Sequence, residues 1–360
     1  VDVAVGDESA DQGYVRSTRR RMSRPTITEI AERAGVSKSA VSYALNDKPG
    51  VSPATRARIL GIAEQMAWEP SSTARALAGK RVGAVGLVIN RPARILGLEP
   101  FYMEFISGIE EVIGPRGISL VLKVARSLDD ECATYTKWAA SRKVDGVLLT
   151  DLSDDDPRPD HLRTLEMPTV VAGPQPDESS VAMWTDDADA MRQSVSYLVA
   201  LGHVRLGRVA GNPSFLHTKL RTEAMLEEAR RLGLSSPVII TTDFSQAQGE
   251  HATRQLLSSR ERPTAIVYDS DVMAAAALGV AAEMGVRIPE DLSIVAWDDS
   301  MISRLTYPPL TSTSVDVRAH AMRVAQGMLD LIDGDKPASG PTGTLGLTVR
   351  GTTGPPPGGA

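Results

Sequence analysis

From Pro25 the apolar positions recur at three- and four-residue steps, Ile27, Ile30, Ala31 and Ala34, which places them on one face of a helix. Thr26 or Thr28 stands where an N-cap belongs, and Gly35 breaks the run. A second helix fits 38–45, with Ser37 as its N-cap and Asn46-Asp47-Lys48-Pro49-Gly50 as its exit loop. A third follows Ser52-Pro53, a cap followed by proline in the first turn, and turns Ala57, Leu60, Ile62, Ala63 and Met66 inward. Glu69-Pro70-Ser71-Ser72 ends that unit and caps a further short helix through Gly79.

After Lys80-Arg81 the texture changes. Continuous apolar runs at 82–89, 119–124, 146–149, 169–172, 206–210, 238–241, 265–267 and 293–296 alternate with helical stretches. Runs without polar alternation suit strands buried on both faces, as in a parallel sheet covered by helices. Eight such strands over about 215 residues predict two doubly wound lobes. The first 24 residues lack periodicity and end in Arg19-Arg20-Arg21, which predicts a disordered arm. Met22, just before the first patterned segment, is a candidate start. The Gly- and Pro-rich 351–360 predicts a disordered tail.

A length of 360 residues suggests two or three domains. Apolar residues make up 42% and charged residues 23%, which argues against a disordered or collagen-like chain. One cysteine, Cys132, leaves no disulfide framework and too few thiolates for a structural zinc site. No apolar run approaches the roughly 20 residues that span a bilayer, and no secretory signal pattern opens the sequence. The expected setting is therefore cytoplasmic.

The net charge of −6 argues, by itself, against nucleic acid, but it conceals an asymmetry. Residues 15–81 hold 13 Lys/Arg against 5 Asp/Glu, so a basic segment is joined to an acidic body. Local charge is what meets phosphates, because salt screens interactions beyond about 10 Å.

The segment 28–46, TEIAERAGVSKSAVSYALN, has the build of a helix-turn-helix. Small Ala31 lets the helices approach, Gly35 makes a left-handed turn, and Val36, Val41 and Leu45 fill the shared core. Lys38, Ser39, Ser42 and Tyr43 remain outward on the second helix, able to donate to bases or phosphates. The longer stretch from Ile27 to Lys80 closely resembles the headpiece of the lactose-repressor (LacI/GalR) family: the AGVS turn, the V-S-x-x-T-R third helix, the aromatic-x-P step and the A-x-x-L-A-G hinge.

That resemblance implies a small all-α headpiece (25–68), a hinge helix and linker (69–81), and a two-lobed α/β effector and dimerisation domain like the periplasmic binding proteins (82–350). Lys38, Ser39 and Tyr43 then occupy base-reading positions, and Ser37, Ser42 and Asn46 hold phosphates. Tyr43 stands where the family often has Arg, and a tyrosine cannot make the bidentate pair to guanine. Leu77 becomes a minor-groove wedge, and Arg75 with Lys80-Arg81 adds phosphate contacts.

The body resembles the effector domain at FYMEFISGIEE (101–111), Asp186-Asp187, LGHVRLGRVAG (201–211), 270–299 and PPLTS (308–312). By that resemblance the first lobe is about 82–183 with 311–340, and the second about 184–310 with the last strand, 345–350. A small ligand, a sugar or related metabolite, lies between them against Phe101, Tyr102, His217, Arg221, Phe244, Ser270 and Asp298. Ser270 replaces the Asn common in sugar-responsive members, and Ala224-Met225 replaces the usual Gly-aromatic pair.

Enzyme motifs fall short. Residues 202–208 have phosphate-loop spacing but no Lys, and the five histidines show no H-x-x-x-H spacing. Cys132 is expected to be packed, and the acid cluster Asp154-Asp155-Asp156 solvated. The expectation is a transcriptional regulator, most simply a repressor, acting as a homodimer on pseudo-palindromic double-stranded operator DNA, without cofactor, metal or membrane. The tail lacks a leucine heptad of the kind that builds the family's tetramers. A solute-binding protein would share the two-lobed body but not the headpiece.

Overall fold

The computed structural model describes residues 25–68, 81–91, 97, 99–175, 177, 179–343 and 345–358. The chain divides into two compact units, one ending at Ala74 and the other beginning at Arg75.

In the first unit α1 (Ile27–Ala34), α2 (Lys38–Leu45) and α3 (Pro53–Gln65) pack around Ile30, Ala31, Ala34, Val41, Ala44, Ile59 and Ala63. Thr26 starts α1 with a reciprocal capping box to Glu29. Gly35 ends it in the left-handed region at φ 64°, and its N–H reaches Ala31 O, which turns the chain into α2. Ser37 and Ser52 cap α2 and α3 through their hydroxyls.

In α3 the inward stripe is Ile59, Ile62, Ala63 and Met66, steps of three and four. Ala57 and Leu60 lie off that stripe and are exposed.

The second unit contains two six-stranded sheets. The first runs β11 (Gly340–Pro341), β5 (Val181–Trp184), β4 (Thr169–Ala172), β3 (Gly146–Leu149), β1 (Ala84–Ile89), β2 (Ser119–Val124), all parallel. The second runs β12 (Gly346–Thr348), β10 (Thr311–Ser314), β9 (Ser293–Asp298), β8 (Ala265–Tyr268), β6 (Leu206–Ala210), β7 (Val238–Thr241), with β12 alone antiparallel. Helices α4 (Pro100–Ile113), α5 (Leu128–Ser141), α6 (Pro157–Thr164) and α12 (Val317–Asp333) belong to the first lobe. Helices α7 (Asp187–Ala200), α8 (Leu216–Arg231), α9 (Gln246–Leu257), α10 (Asp271–Glu283) and α11 (Met301–Leu305) belong to the second.

All eight predicted runs are strands. Of the other four, β10, β11 and β12 are too short or too polar to show as apolar runs, whereas β5, VAMW, is as apolar as β4 and went unpredicted. Strands β2 and β7 are sheet edges and half exposed, so burial on both faces holds only for the inner strands.

The chain crosses between lobes three times: after β5, after β10, and between β11 and β12. Residues 311–314, expected in the first lobe, form β10 of the second, paired in register with β9. Thr311, Ser312 and Thr313 are buried there because their hydroxyls find partners in Thr353, Ser303 and Ser194.

The tail, expected to be disordered, is instead packed on the second lobe through Thr352, Gly354 and Pro356, while Pro357 and Gly358 are exposed. Thr352 is fully buried, donating to Ile294 O (2.7 Å) and accepting from Thr311 N (2.8 Å), while the Gly354 N–H reaches Ser293 Oγ (3.0 Å). Backbone groups left unpaired along β9 and β10 supply the partners that composition alone could not reveal. His203, in the segment with phosphate-loop spacing, is likewise buried against Thr264, Ser293 and Gly354 O.

Thr352→Val keeps the shape of the side chain but strands both backbone groups, so it should lower stability by about 2 kcal/mol. Urea unfolding midpoints of the two proteins check this.

Candidate nucleic-acid interface and ligand cleft

Helix α2 presents Lys38, Ser39 and Tyr43 to solvent, with Ser42 half-buried between them. Val41 and Ala44 anchor the opposite face, so the outward set is rigidly displayed. The Ser37 hydroxyl is occupied in capping Ala40 N, and the Asn46 amide donates to Ser42 O at 2.8 Å. Arg56 of α3 binds the Asp47 carboxylate and Lys48 O, which ties the exit loop of α2 to α3. Arg75 and Leu77 lie outside the described residues. Arg81 is paired with Asp333 and Ile332 O of the second unit, so its charge is matched within the protein.

In the second unit the carboxyl ends of both sheets meet at one cleft, as expected where the strand order reverses. From the first lobe come Arg91 after β1, Glu99, Phe101 and Tyr102 at the start of α4, Asp151 after β3, and His320 of α12. From the second come Asp187, His217 and Arg221 on α7 and α8, Phe244 after β7, Asp269 after β8, and Trp297-Asp298 closing β9.

Asp151, Phe244 and Asp298 are non-glycine residues held at φ 53°, 68° and 82°. Backbone strain of this kind gathers where structure serves a site. The Phe244 ring lies against Gly211, where an added Cβ would come within 1.8 Å of it, so only glycine lets the ring sit there.

The charges are largely matched in pairs. Arg91 Nε meets Asp151 Oδ2 at 3.0 Å, and the Tyr102 hydroxyl donates to the same oxygen at 2.5 Å. Burial would raise the Asp151 carboxyl, but Arg91, His217 and the Tyr102 hydrogen bond outweigh it and hold it at about 2. Arg221 pairs with Asp187 at 3.0 Å, and its guanidinium stacks on Trp297, 3.9 Å from the ring centre. Arg208, fully buried, grips Asp269 at 2.7 Å, and Asp269 also accepts from Gly211 N.

Among the described residues of the cleft, Glu99 and Asp298 have no such salt-bridge partner. Burial pushes Asp298 well above the usual carboxylate range and Glu99 up to about 7, with Arg91 opposing the latter. Burial lowers His217 and His320 to about 4, so both are neutral near pH 7. Arg221 Nε, Trp297 Nε1 and Glu99 Oε2 are buried with no hydrogen-bond partner among the described residues.

Residues 26–71 match the family described as bacterial regulatory proteins, lacI family, and 195–353 match the periplasmic binding protein-like domain. The transcriptional regulator CelR of Thermobifida fusca is 31% identical over 320 residues, 88% of this chain and 94% of that protein. This chain belongs to the LacI family. A crystal structure of the lac repressor dimer bound to operator and the anti-inducer ONPF shares its fold at TM-score 0.80, with 25% identity over 92% of this chain and 99% of that one. The structure of a CelR–cellobiose complex superposes at TM-score 0.71, with 29% identity over 91% of this chain and all of that one.

The protein is accordingly a DNA-binding transcriptional regulator with an α-helical headpiece and a two-lobed α/β body, not a solute-binding protein. Among the described residues no helix is long and apolar enough to cross a membrane. Of the ligand contacts expected in this LacI-family chain, Phe101, Tyr102, His217, Arg221, Phe244 and Asp298 line one cleft.

Ser270 does not line that cleft. It is buried and its hydroxyl caps α10 through Met273 N, a task any N-cap serine performs. Sequence reasoning missed Arg91, Glu99, Asp151, Asp187 and Trp297. Asp151 follows the apolar run 146–149 at the sheet's carboxyl edge, a placement that could have flagged it, whereas Asp187 follows β5, which was not among the predicted runs.

The acid cluster also divides. Asp154 pairs with Lys219, but Asp156 is buried against Arg158, not solvated. Cys132 is half-buried in α5, and burial pushes its thiol up.

Glu99 makes this site's pH dependence testable. Its folded pKa of about 7 lies above the ordinary 4.5, so the stability it contributes is complete below about 4.5 and lost as pH rises to about 7. Relative to Glu99→Gln, the parent should lose stability across that window by at most one proton's slope, about 1.4 kcal/mol per pH unit. The two histidines are common to both proteins and cancel in the difference. Urea midpoints near pH 5 and pH 7 measure it, and a constant difference would contradict the assignment.

Proposed function

We propose that this regulator binds pseudo-palindromic operator DNA as a homodimer in the bacterial cytoplasm and represses transcription. Its operator affinity is set by a small neutral polyhydroxylated ligand, a sugar or related metabolite, held between the lobes. Lys38, Ser39 and Tyr43 read bases, and Ser37, Ser42, Asn46 and Arg75 hold phosphates. Leu77 wedges the minor groove. The cleft binds without turnover.

The observation that carries the ligand class is the charge pairing. Arg91 and Arg221 already have Asp151 and Asp187 as counter-charges. Among the described residues, what is left for a ligand is the carboxyls of Asp298 and Glu99, whose raised pKa lets them donate as well as accept, and the unpartnered donors Arg221 Nε and Trp297 Nε1. Donors and acceptors set beside aromatic faces suit hydroxyls on a ring, whereas an anion would find both arginines already paired. The cellobiose complex of CelR is in keeping with that class.

Dimerisation is supported by Met301, Leu305 and Tyr307, which are 63%, 77% and 95% exposed along one short stretch. Such an apolar patch on a soluble chain marks an interface, and a two-fold pairing would match a two-fold operator.

In a thermal-shift screen, neutral saccharides should raise the Tm by mass action, while sugar phosphates of the same size should not. The same saccharide should change operator affinity, and operator should change saccharide affinity by the same factor. An operator-like duplex bound no better than random DNA at physiological salt would refute the DNA assignment. Tyr43→Arg should move half-site preference toward guanine by about 1–3 kcal/mol, read by fluorescence anisotropy on base-substituted duplexes.

A further inference from the structure

Arg91 leaves the end of β1 in the first lobe, and its guanidinium comes to rest on two rings of the second. Its central carbon lies 4.6 Å from the centre of Phe215 and 4.5 Å from that of Phe244. The two rings are themselves stacked, 6.4 Å apart at 23°. Asp151 of its own lobe holds the other side of the group, and the residue is only 7% exposed. A desolvated guanidinium on an aromatic face is a favourable contact, and here it spans the cleft.

Phe244 is not adaptable, since its backbone is left-handed and its ring is seated on Gly211. The protein therefore fixes an aromatic face at the ligand cleft and covers that face with its own cation.

We propose that Arg91 is a built-in occupant of this aromatic face and thereby the specificity-determining residue of the cleft. This rests on the cleft being the ligand site. A ligand ring that stacks on the face of Phe244 covered by Arg91 must take the place of the guanidinium, and it must then supply donors to Asp151. A ring with an apolar C–H face and hydroxyl donors does both. An anion fails at Asp151, and a purely apolar ring leaves that buried carboxylate without a partner.

Because the guanidinium is the reference occupant, the test does not need the natural effector. In full-length Arg91→Ala, ethylguanidinium should raise the Tm saturably at millimolar concentration, recovering most of the loss. It should not do so in the parent protein, and tetramethylammonium should do nothing in either. Cellobiose, used as a saccharide probe by calorimetry, should bind the variant at least about tenfold more tightly than the parent and compete with ethylguanidinium.

Absence of saturable guanidinium binding overturns the proposal. Equal or weaker cellobiose binding by the variant overturns Arg91 as the gate but leaves the cleft as the ligand site. Guanidinium rescue that no neutral saccharide displaces overturns the cleft assignment and leaves Arg91 as occupant. If Arg91→Ala does not fold, Arg91→Met keeps the bulk of the side-chain stem and removes the guanidinium while leaving Asp151 intact. Its cellobiose affinity should rise, and an unchanged affinity overturns the proposal.

Discussion

A charge taken out of water must find its counter-charge, and the second unit is arranged around that requirement. Arg91, Arg158, Arg208 and Arg221 are all buried, and each has a carboxylate within 3.0 Å. Such pairs add little net stability, because desolvation offsets most of the attraction, but breaking one leaves a buried charge unmatched. They therefore set position. Arg208 joins β6 to the end of β8 and reaches Thr218 O and Thr222 on α8, the helix that carries His217 and Arg221. Arg158 gathers Glu131, Asp156 and Asp151 O, so the loop after β3 delivers Asp151 to the cleft in one geometry.

The headpiece follows a different rule, local capping over a small core. Thr26, Ser37 and Ser52 each close a helix start, and Gly35 closes a helix end, so the outward residues of α2 are held by backbone chemistry more than by burial. Its folded core is nearly neutral: residues 25–68 hold five Lys/Arg against four Asp/Glu. The positive charge of the N-terminal region thus lies mainly in the stretches flanking that core, and one of its members, Arg81, is already matched by Asp333. The salt dependence of DNA binding should accordingly arise largely outside the helix-turn-helix.

The three crossings connect the cleft to the lobe arrangement. Thr185 and Asp187 follow the first crossing and Val315 lies at the second, and all three line the cleft. On the proposed function, a ligand that binds there acts on the segments that must bend if the lobes move. Differential affinity for two arrangements is all that regulation of DNA binding then requires.

The helix-turn-helix was legible in the sequence because its determinants are local: a cap, a spacing of three and four, and a glycine in the turn. The inner strands were legible for a related reason, since burial on both faces demands an unbroken apolar run. Phe101, Tyr102, Arg221, Phe244 and Asp298 were placed by resemblance to the family and do converge. Ser270 does not join them: it caps α10, and a serine beside a strand end reads alike as ligand contact or helix cap.

What only the tertiary structure decided are pairings between residues far apart in the chain. Arg91 and Asp151 are separated by 60 positions, Arg208 and Asp269 by 61, and Thr352 and Ile294 by 58. No periodicity encodes which buried charge meets which, or that a Gly- and Pro-rich tail finds open backbone groups along β9 and β10. Short-range order is fixed by each residue's own stereochemistry and solvation. The partner of a buried polar group depends on what else the folded chain brings out of water beside it.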